Sequence, residues 1–124
     1  MTKISKPANA AGKSAEDIAA SYLTQQGLKL ITRNFHSRFG EIDLIAIQQH
    51  ILVFIEVRYR KNERFLAVVE TIDGRKCRKL VATSEYYLIK HKAYQNFQCR
   101  YDVIAITGEL NKPVIEWIKN AFQA

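Results

Sequence analysis

Gly40-Glu41-Ile42-Asp43-Leu44-Ile45-Ala46-Ile47 and Val53-Phe54-Ile55-Glu56-Val57-Arg58-Tyr59-Arg60 read as two β-strands joined by a short turn around Gln48-Gln49-His50. Both runs are apolar on both faces, and each is interrupted by an acid. Burying a carboxylate is costly unless something positive sits against it. Two such acids, with Arg58 two residues after the second, suggest a metal site that handles phosphate.

The turn sets the geometry. Side chains alternate along a strand, so Asp43, Ile45 and Ile47 share a face of the first, and Leu52, Phe54, Glu56 and Arg58 share a face of the second. A hairpin loop of two or four residues gives one and the same register, in which Asp43 lies directly opposite Glu56. Cβ atoms so opposed are about 4.5–5.5 Å apart, which lets two carboxylates share one cation. An odd-length loop would set Asp43 against an apolar residue of the wrong face. Bare carboxylates this close repel, and one tends to take up a proton. A divalent cation removes the repulsion. Mg²⁺ accepts one or two carboxylates together with waters and phosphate oxygens, and can polarise phosphorus and generate hydroxide. Arg58 lies one step along the same face, opposite Glu41, and is placed to hold a phosphate oxygen. It cannot act as a base. Spacing alone admits an ion-pair cluster of Asp43, Glu56 and Arg58 equally well.

Upstream, Ala15, Ile18, Ala19, Tyr22 and Leu23 give one apolar face to a helix expected from about Ser14 to Gln26. Ser14 is the expected N-cap, with Asp17 three residues on, and Gly27 can end the helix in a left-handed cap. Leu28 to Phe35 reads as a first strand, followed by a polar loop, His36 to Gly40. Lys61 to about Arg64 reads as a loop, and Phe65 to Ile72 fits either a strand or a short helix. Asp73 caps a second helix, roughly Gly74 to His91, with Cys77, Leu80, Val81, Ser84 and Leu88 as its inward stripe. Gln98 to Ile106 is a strand, and Gly108 to Lys112 a turn ending in Pro113. Val114 to Ile118 is an edge strand, or else a short helix. The order α-β-β-β-α-β-β describes a mixed sheet flanked by helices.

The 124 residues suit one domain with a single core. Residues 1–11 read as a flexible basic arm, and residues 12–124 as the domain. The N-terminus has no apolar h-region of a signal peptide. The longest strongly apolar run, Ile51 to Ile55, is far too short to span a bilayer, so no membrane association and a cytoplasmic location are expected. Cys77 and Cys99 form no CxxC pair and have no histidine at ligand spacing, so two buried thiols in a reducing cytosol are expected. The net charge of +7 favours an anionic partner, nucleic acid first and an acidic membrane surface second. Solubility is the other use of such charge.

Gly12-x-x-Ala15-Glu16-x-x-Ala19, Asn34-Phe35, Gly40 to Ala46 and Val53 to Arg58 together resemble the YraN family of small bacterial proteins. Arg100-Tyr101-Asp102-Val103-Ile104-Ala105 and Ile118-Lys119-Asn120-Ala121-Phe122 match it too. The resemblance covers the chain from about Gly12 to Phe122. That family is similar to archaeal Holliday-junction resolvases, within the restriction-endonuclease-like superfamily. The resemblance implies an α/β, three-layer, restriction-endonuclease-like fold with a mixed central sheet flanked by helices. It implies that Asp43 and Glu56 are metal ligands for Mg²⁺ or Mn²⁺, and that Glu16 is an additional helix acid. Glu16 has a simpler use, since an acid near a helix start suits the dipole. Arg58 stands where the superfamily carries a catalytic lysine. An arginine replaces a lysine that places charge, but not one that must give up a proton. Glu41 is either an accessory acid of the site or a partner of Arg58.

Eight basic residues lie between positions 58 and 79: Arg58, Arg60, Lys61, Arg64, Arg75, Lys76, Arg78 and Lys79. The last four crowd a helix start, where positive charge opposes the macrodipole. A bound anion there would offset the conflict; fanning out into water is the usual fate of a charge run. Phosphate contact is the preferred assignment for Arg60, Lys61, Arg75, Lys76, Arg78 and Lys79, giving salt-dependent, sequence-indifferent binding. Tyr86, Tyr87, Tyr94 and Tyr101 either stack on bases or pack on the sheet. His36, His50 and His91 receive no role. The expectation is an endonuclease that hydrolyses DNA phosphodiesters, with branched or junction DNA among its substrates, RNA also compatible with the charge, and a homodimer as its working form. The alternatives are a non-catalytic nucleic-acid-binding module of the same fold and, third, a dimeric interaction subunit.

Overall fold

In the computed structural model, which describes residues 7–62 and 64–124, the two acid-bearing runs pair as antiparallel strands. They are β2 (Gly40–Gln48) and β3 (Ile51–Arg60), joined by the two-residue turn Gln49-His50. Gln49 turns the chain at φ 56°. The ladder runs from Gln48↔Ile51 to Leu44↔Ile55, the register expected of an even loop. β1 (Lys29–Ser37) pairs antiparallel with β2, β4 (Gln98–Thr107) parallel with β3, and β5 (Val114–Phe122) antiparallel with β4. The sheet is therefore mixed, in the order β1-β2-β3-β4-β5. The helices are α1 (Pro7–Gln25), the short α2 (Phe65–Val69) and α3 (Gly74–Lys90).

Alternation along β2 and β3 feeds two cores. Ala15, Ala19 and Leu23 of α1 pack with Leu44, Ala46, Val53, Ile55 and Ile104 on one side of the sheet. Leu80 and Tyr87 of α3 pack with Ile42, Ile45, Leu52 and Phe54 on the other. Each central strand is thus covered from both sides, which explains its continuous apolar run. α1 ends as expected at Gly27 (φ 96°): Leu28 N–H reaches Leu23 O and Gly27 N–H reaches Thr24 O, the paired bonds of a Schellman cap. Asp73 caps α3 as expected, its carboxylate accepting the Lys76 N–H at 3.0 Å. Among the described residues no helix is long and apolar enough to cross a membrane.

Several expectations need correction. α1 begins at Pro7, so Ser14 is inside the helix rather than its cap, and residues 7–11 are helical rather than part of an arm; residues 1–6 lie outside the described residues. Proline is favoured at a helix start and Ala8, Ala10 and Ala11 favour its continuation. The loop expected over His36 to Gly40 shrinks to Arg38-Phe39, because the β1–β2 ladder continues to Ser37↔Gly40. Residues 65–69 are helical. The buried stripe of α3 is Leu80, Thr83, Ser84 and Tyr87, with Cys77, Val81 and Leu88 only half-buried. Thr83 can turn inward because its hydroxyl donates to Lys79 O at 2.7 Å. Cys99 is exposed and Cys77 half-buried, so the pair of buried thiols is not found. β5 continues beyond Ile118 to Phe122, passing Asn120 at φ 55°.

Candidate active site

β2 changes character at Asp43. Ile45 and Ile42 both join the core under α3, whereas Leu44 and Ala46 join the core under α1. Strict alternation would place Ile42 with Leu44, so it breaks here. Across the ladder, between Arg33↔Leu44 and Phe35↔Ile42, Asn34 adopts φ 54°, a conformation that asparagine tolerates better than most residues. The β2–β3 ladder has its last pair at Leu44↔Ile55. Beyond it the Val57 N–H donates to Asp43 Oδ2, at 2.8 Å. Asp43 thus sits where the two central strands part.

Glu56 is one step past the same last pair and is 5% exposed; Asp43 is 9% exposed. The two carboxyls are within hydrogen-bonding reach of each other. Two cations converge on a single oxygen of the pair. Arg58 Nε is 3.1 Å from Glu56 Oε2, and Lys76 Nζ, from α3, is 3.7 Å from the same atom. The Arg58 Nε–H is buried and has no hydrogen-bond partner, so its attraction to Glu56 is one of charge without alignment. Burial first, and the Asp43 charge second, raise Glu56 to about 8, against the pull of Lys76 and Arg58. Burial likewise raises Asp43, opposed by the Val57 N–H. Burial thus weights both members of the pair toward their neutral, protonated forms.

Glu16 of α1 is the third acid in this region. Burial and the Asp43 charge raise it to about 7, while a hydrogen bond from Asn34 and the Arg33 charge pull it down. Glu41 is exposed and pairs with His36 (3.4 Å) rather than with Arg58, though its charge still acts on Asp43 and Glu16. Among the described residues no three His, Cys, Asp or Glu side chains gather as a metal-binding group, so Asp43 and Glu56 are the two that could hold an ion. Asp43, Glu56, Arg58 and Lys76 are brought together, with Glu16 in electrostatic reach. The other basic residues are not part of this cluster. Arg75, Arg78 and Lys79 are exposed on α3, Lys61 makes an exposed pair with Glu109 at 3.2 Å, and Arg60 donates to Tyr59 O.

Sequence reasoning missed three features. Asn34 was visible only as a family block, and nothing in its type announced a bond to Glu16. Lys76 was assigned to phosphate contact with the rest of the basic helix start, because helix spacing alone does not say that the first turn of α3 overhangs Glu56. Asp102 passed as part of an apolar strand. It is 1% exposed, and accepts from Arg100 Nε and Nη2 (both 2.9 Å), Trp117 Nε1 (2.9 Å) and the Asn120 N–H (2.8 Å).

The uncharacterised protein family UPF0102 matches residues 15–106 of the chain. A UPF0102 protein of Psychromonas ingrahamii is 45% identical over 99% of this chain and 98% of its own length. One of Coxiella burnetii is 46% identical over 90% of this chain and 91% of its own. One of Methylococcus capsulatus is 42% identical over 91% and 90%.

Proposed function

This chain belongs to the uncharacterised protein family UPF0102, as its YraN-like blocks indicated, and we propose that it is a metal-dependent nuclease of restriction-endonuclease-like fold that hydrolyses DNA phosphodiesters. One observation carries the proposal. Two buried, mutually repelling carboxyls stand where two central strands part, and both are raised by burial. A fold that needed only stability would satisfy such acids or omit them. Raised acids in this arrangement are what a divalent ion would discharge.

The donor set fits Mg²⁺ or Mn²⁺. Asp43 and Glu56 would hold the ion, and water and a phosphate oxygen would complete its shell, the pattern of phosphate-handling sites with few protein ligands. When bound, the ion supplies Lewis acidity and a nucleophilic hydroxide. The protein's own residues do the rest. Arg58 and Lys76, both beside Glu56 Oε2, would be placed to face a phosphate, Arg58 as a fixed fork and Lys76 as a compact charge. Asp43 is held by the Val57 N–H and so keeps its aim. Glu16, poised near neutrality, is the remaining acid able to accept or hold a proton beside Asp43. Arg75, Arg78 and Lys79 would hold the DNA backbone. Branched DNA and a symmetric dimer belong to the same proposal, on the resolvase resemblance.

A second reading has its own support. Arg58 and Lys76 already lie against Glu56 Oε2, as internal counterions would in a non-catalytic nucleic-acid-binding module. Labelled duplex, single-stranded, flap and four-way DNA incubated with Mg²⁺ or Mn²⁺ separates the two. Cutting that Asp43→Ala and Glu56→Ala both abolish, with binding retained, is expected. No cutting of any form, with binding that survives both substitutions, establishes the module instead.

A further inference from the structure

The turn Arg38-Phe39 at the tip of the β1–β2 hairpin is exposed on its outer side. It lies on α3. A Cβ at Gly40 would come within 3.2 Å of Thr83 Oγ1 and 3.7 Å of Lys79 Cβ, and Gly40 is at φ 144°, so only glycine allows this close approach. Phe39 then meets Tyr86, with ring centroids 5.7 Å apart. Cations cover both rings: the Arg38 guanidinium is 5.0 Å from the Phe39 centroid, and Lys90 Nζ is 5.6 Å from that of Tyr86. Phe39 nevertheless remains 38% exposed.

This patch is tied to the carboxylates along two paths. Phe39 immediately precedes β2 and is four residues before Asp43, no more than about 13 Å at the rise of a β-strand. Lys76, Lys79, Tyr86 and Lys90 follow one another at helical spacing on α3, with the buried Thr83 between Lys79 and Tyr86 covered by the hairpin, so one basic stripe leads from Glu56 to the hairpin tip. Exposed aromatic surface flanked by cations, and continuous with a phosphate-facing stripe, is the chemistry that holds a nucleobase and its backbone at once. Bases stack on aromatic rings and on guanidinium planes alike. In a fully paired duplex the base faces are already stacked and unavailable.

We infer that Phe39, with Arg38 and Tyr86, stacks an unpaired base of the bound strand, so that the substrate of this site carries single-stranded or branched DNA beside the scissile phosphate. The inference rests on the nucleic-acid part of the reading above and not on cleavage. Its test is anisotropy binding in EDTA, so that no strand is cut. Wild type, Phe39→Ala and Phe39→Tyr are compared on a paired duplex and on the same duplex with an unpaired overhang. Phe39→Ala is expected to lose about tenfold in affinity for the overhang probe and little for the duplex, and Phe39→Tyr to restore the loss. Circular dichroism confirms that the variants fold. Equal losses on both probes, or none on either, overturn the inference while leaving DNA binding intact. Wild type that binds neither probe beyond weak low-salt attraction overturns the nucleic-acid reading itself. A wild-type dimer that Phe39→Ala dissociates in sedimentation would put a second copy of the chain on the patch, and would overturn the inference too.

Discussion

Asp102 and the Asp43–Glu56 pair are buried carboxyls in one small sheet, treated in opposite ways. Asp102 accepts four hydrogen bonds, two of them from Arg100, which in turn reaches Gln48 Oε1 at 2.8 Å. It ties β4 to Trp117 and Asn120 on β5, and needs nothing further. Asp43 has one backbone donor, and Glu56 has two cations, of which Arg58 makes no aligned hydrogen bond. A carboxylate that must hold the fold is saturated; one left under-satisfied is available to something absent from the chain. Removing each acid exposes the difference. Asp102→Ala leaves Arg100 buried without its partner and is expected to cost about 3–5 kcal/mol, read from urea denaturation. Glu56→Gln and Asp43→Asn remove repulsion and burial cost, so the metal-free protein should be as stable as wild type or more so at pH 8. If Asp43→Asn cost as much as Asp102→Ala, the two regions would be the same kind of structure.

The contrast sharpens with pH. Glu56 and Glu16 are raised from 4.5 to about 8 and about 7. A raised acid ionises in the unfolded chain first, so the folded state binds more protons between the two values. Stability therefore falls as pH rises through that interval. The metal-free protein is expected to be most stable near pH 5 and to lose stability continuously up to about pH 8. Thermal melts across this range check it, and Glu56→Gln should flatten the slope. Mg²⁺ or Mn²⁺ should reverse the loss, because the ion takes the place of the protons. At one hundred times its dissociation constant an ion adds about 2.7 kcal/mol. Glu56→Gln should lose most of this gain, and Asp102→Asn should retain it once its lower starting stability is subtracted.

The positions that were legible in the sequence are those governed by local rules. The Gln49-His50 turn fixed the β2–β3 register, Gly27 closed α1 and Asp73 opened α3, because each is set by a few neighbouring residues. The turn set the ladder as far as Leu44↔Ile55, but the expected Asp43↔Glu56 pair is not part of it, and the two acids lie past its last pair. The break in alternation at Asp43 was not legible, since it depends on Asn34 turning over in the adjacent strand. Lys76 was read as a phosphate contact without its approach to Glu56, because the overhang of α3 is decided by how Leu80 and Tyr87 seat on the sheet. Asp102 was illegible for a related reason: its partners, Trp117 and Asn120, come from a strand paired across the sheet. The hairpin tip was read as a loop because no local signal shows that Gly40 is pressed against Thr83.

The smallest expected effect divides the two regions most finely. Lys76 and Arg100 each pair with a buried acid, so a count of ion pairs would treat them alike. Arg100 is bidentate, with its side chain 16% exposed, whereas Lys76 is a single 3.7 Å contact with 28% exposed. Burial holds Glu56 up to about 8, so near neutral pH the carboxyl that Lys76 faces is weighted toward its neutral form. Lys76→Met should then cost less than about 1 kcal/mol at pH 7, against roughly 3 kcal/mol for Arg100→Met, which strands Asp102. Above about pH 8 Glu56 ionises, and the missing ammonium should be felt as a steeper loss of stability in Lys76→Met than in wild type. Arg100→Met should show no such steepening, because Asp102 keeps the Trp117 and Asn120 donors and has no Lys76-like ammonium to lose. Parallel pH slopes for wild type and Lys76→Met would mean that Lys76 is a surface charge after all, and that Arg58 alone answers the pair.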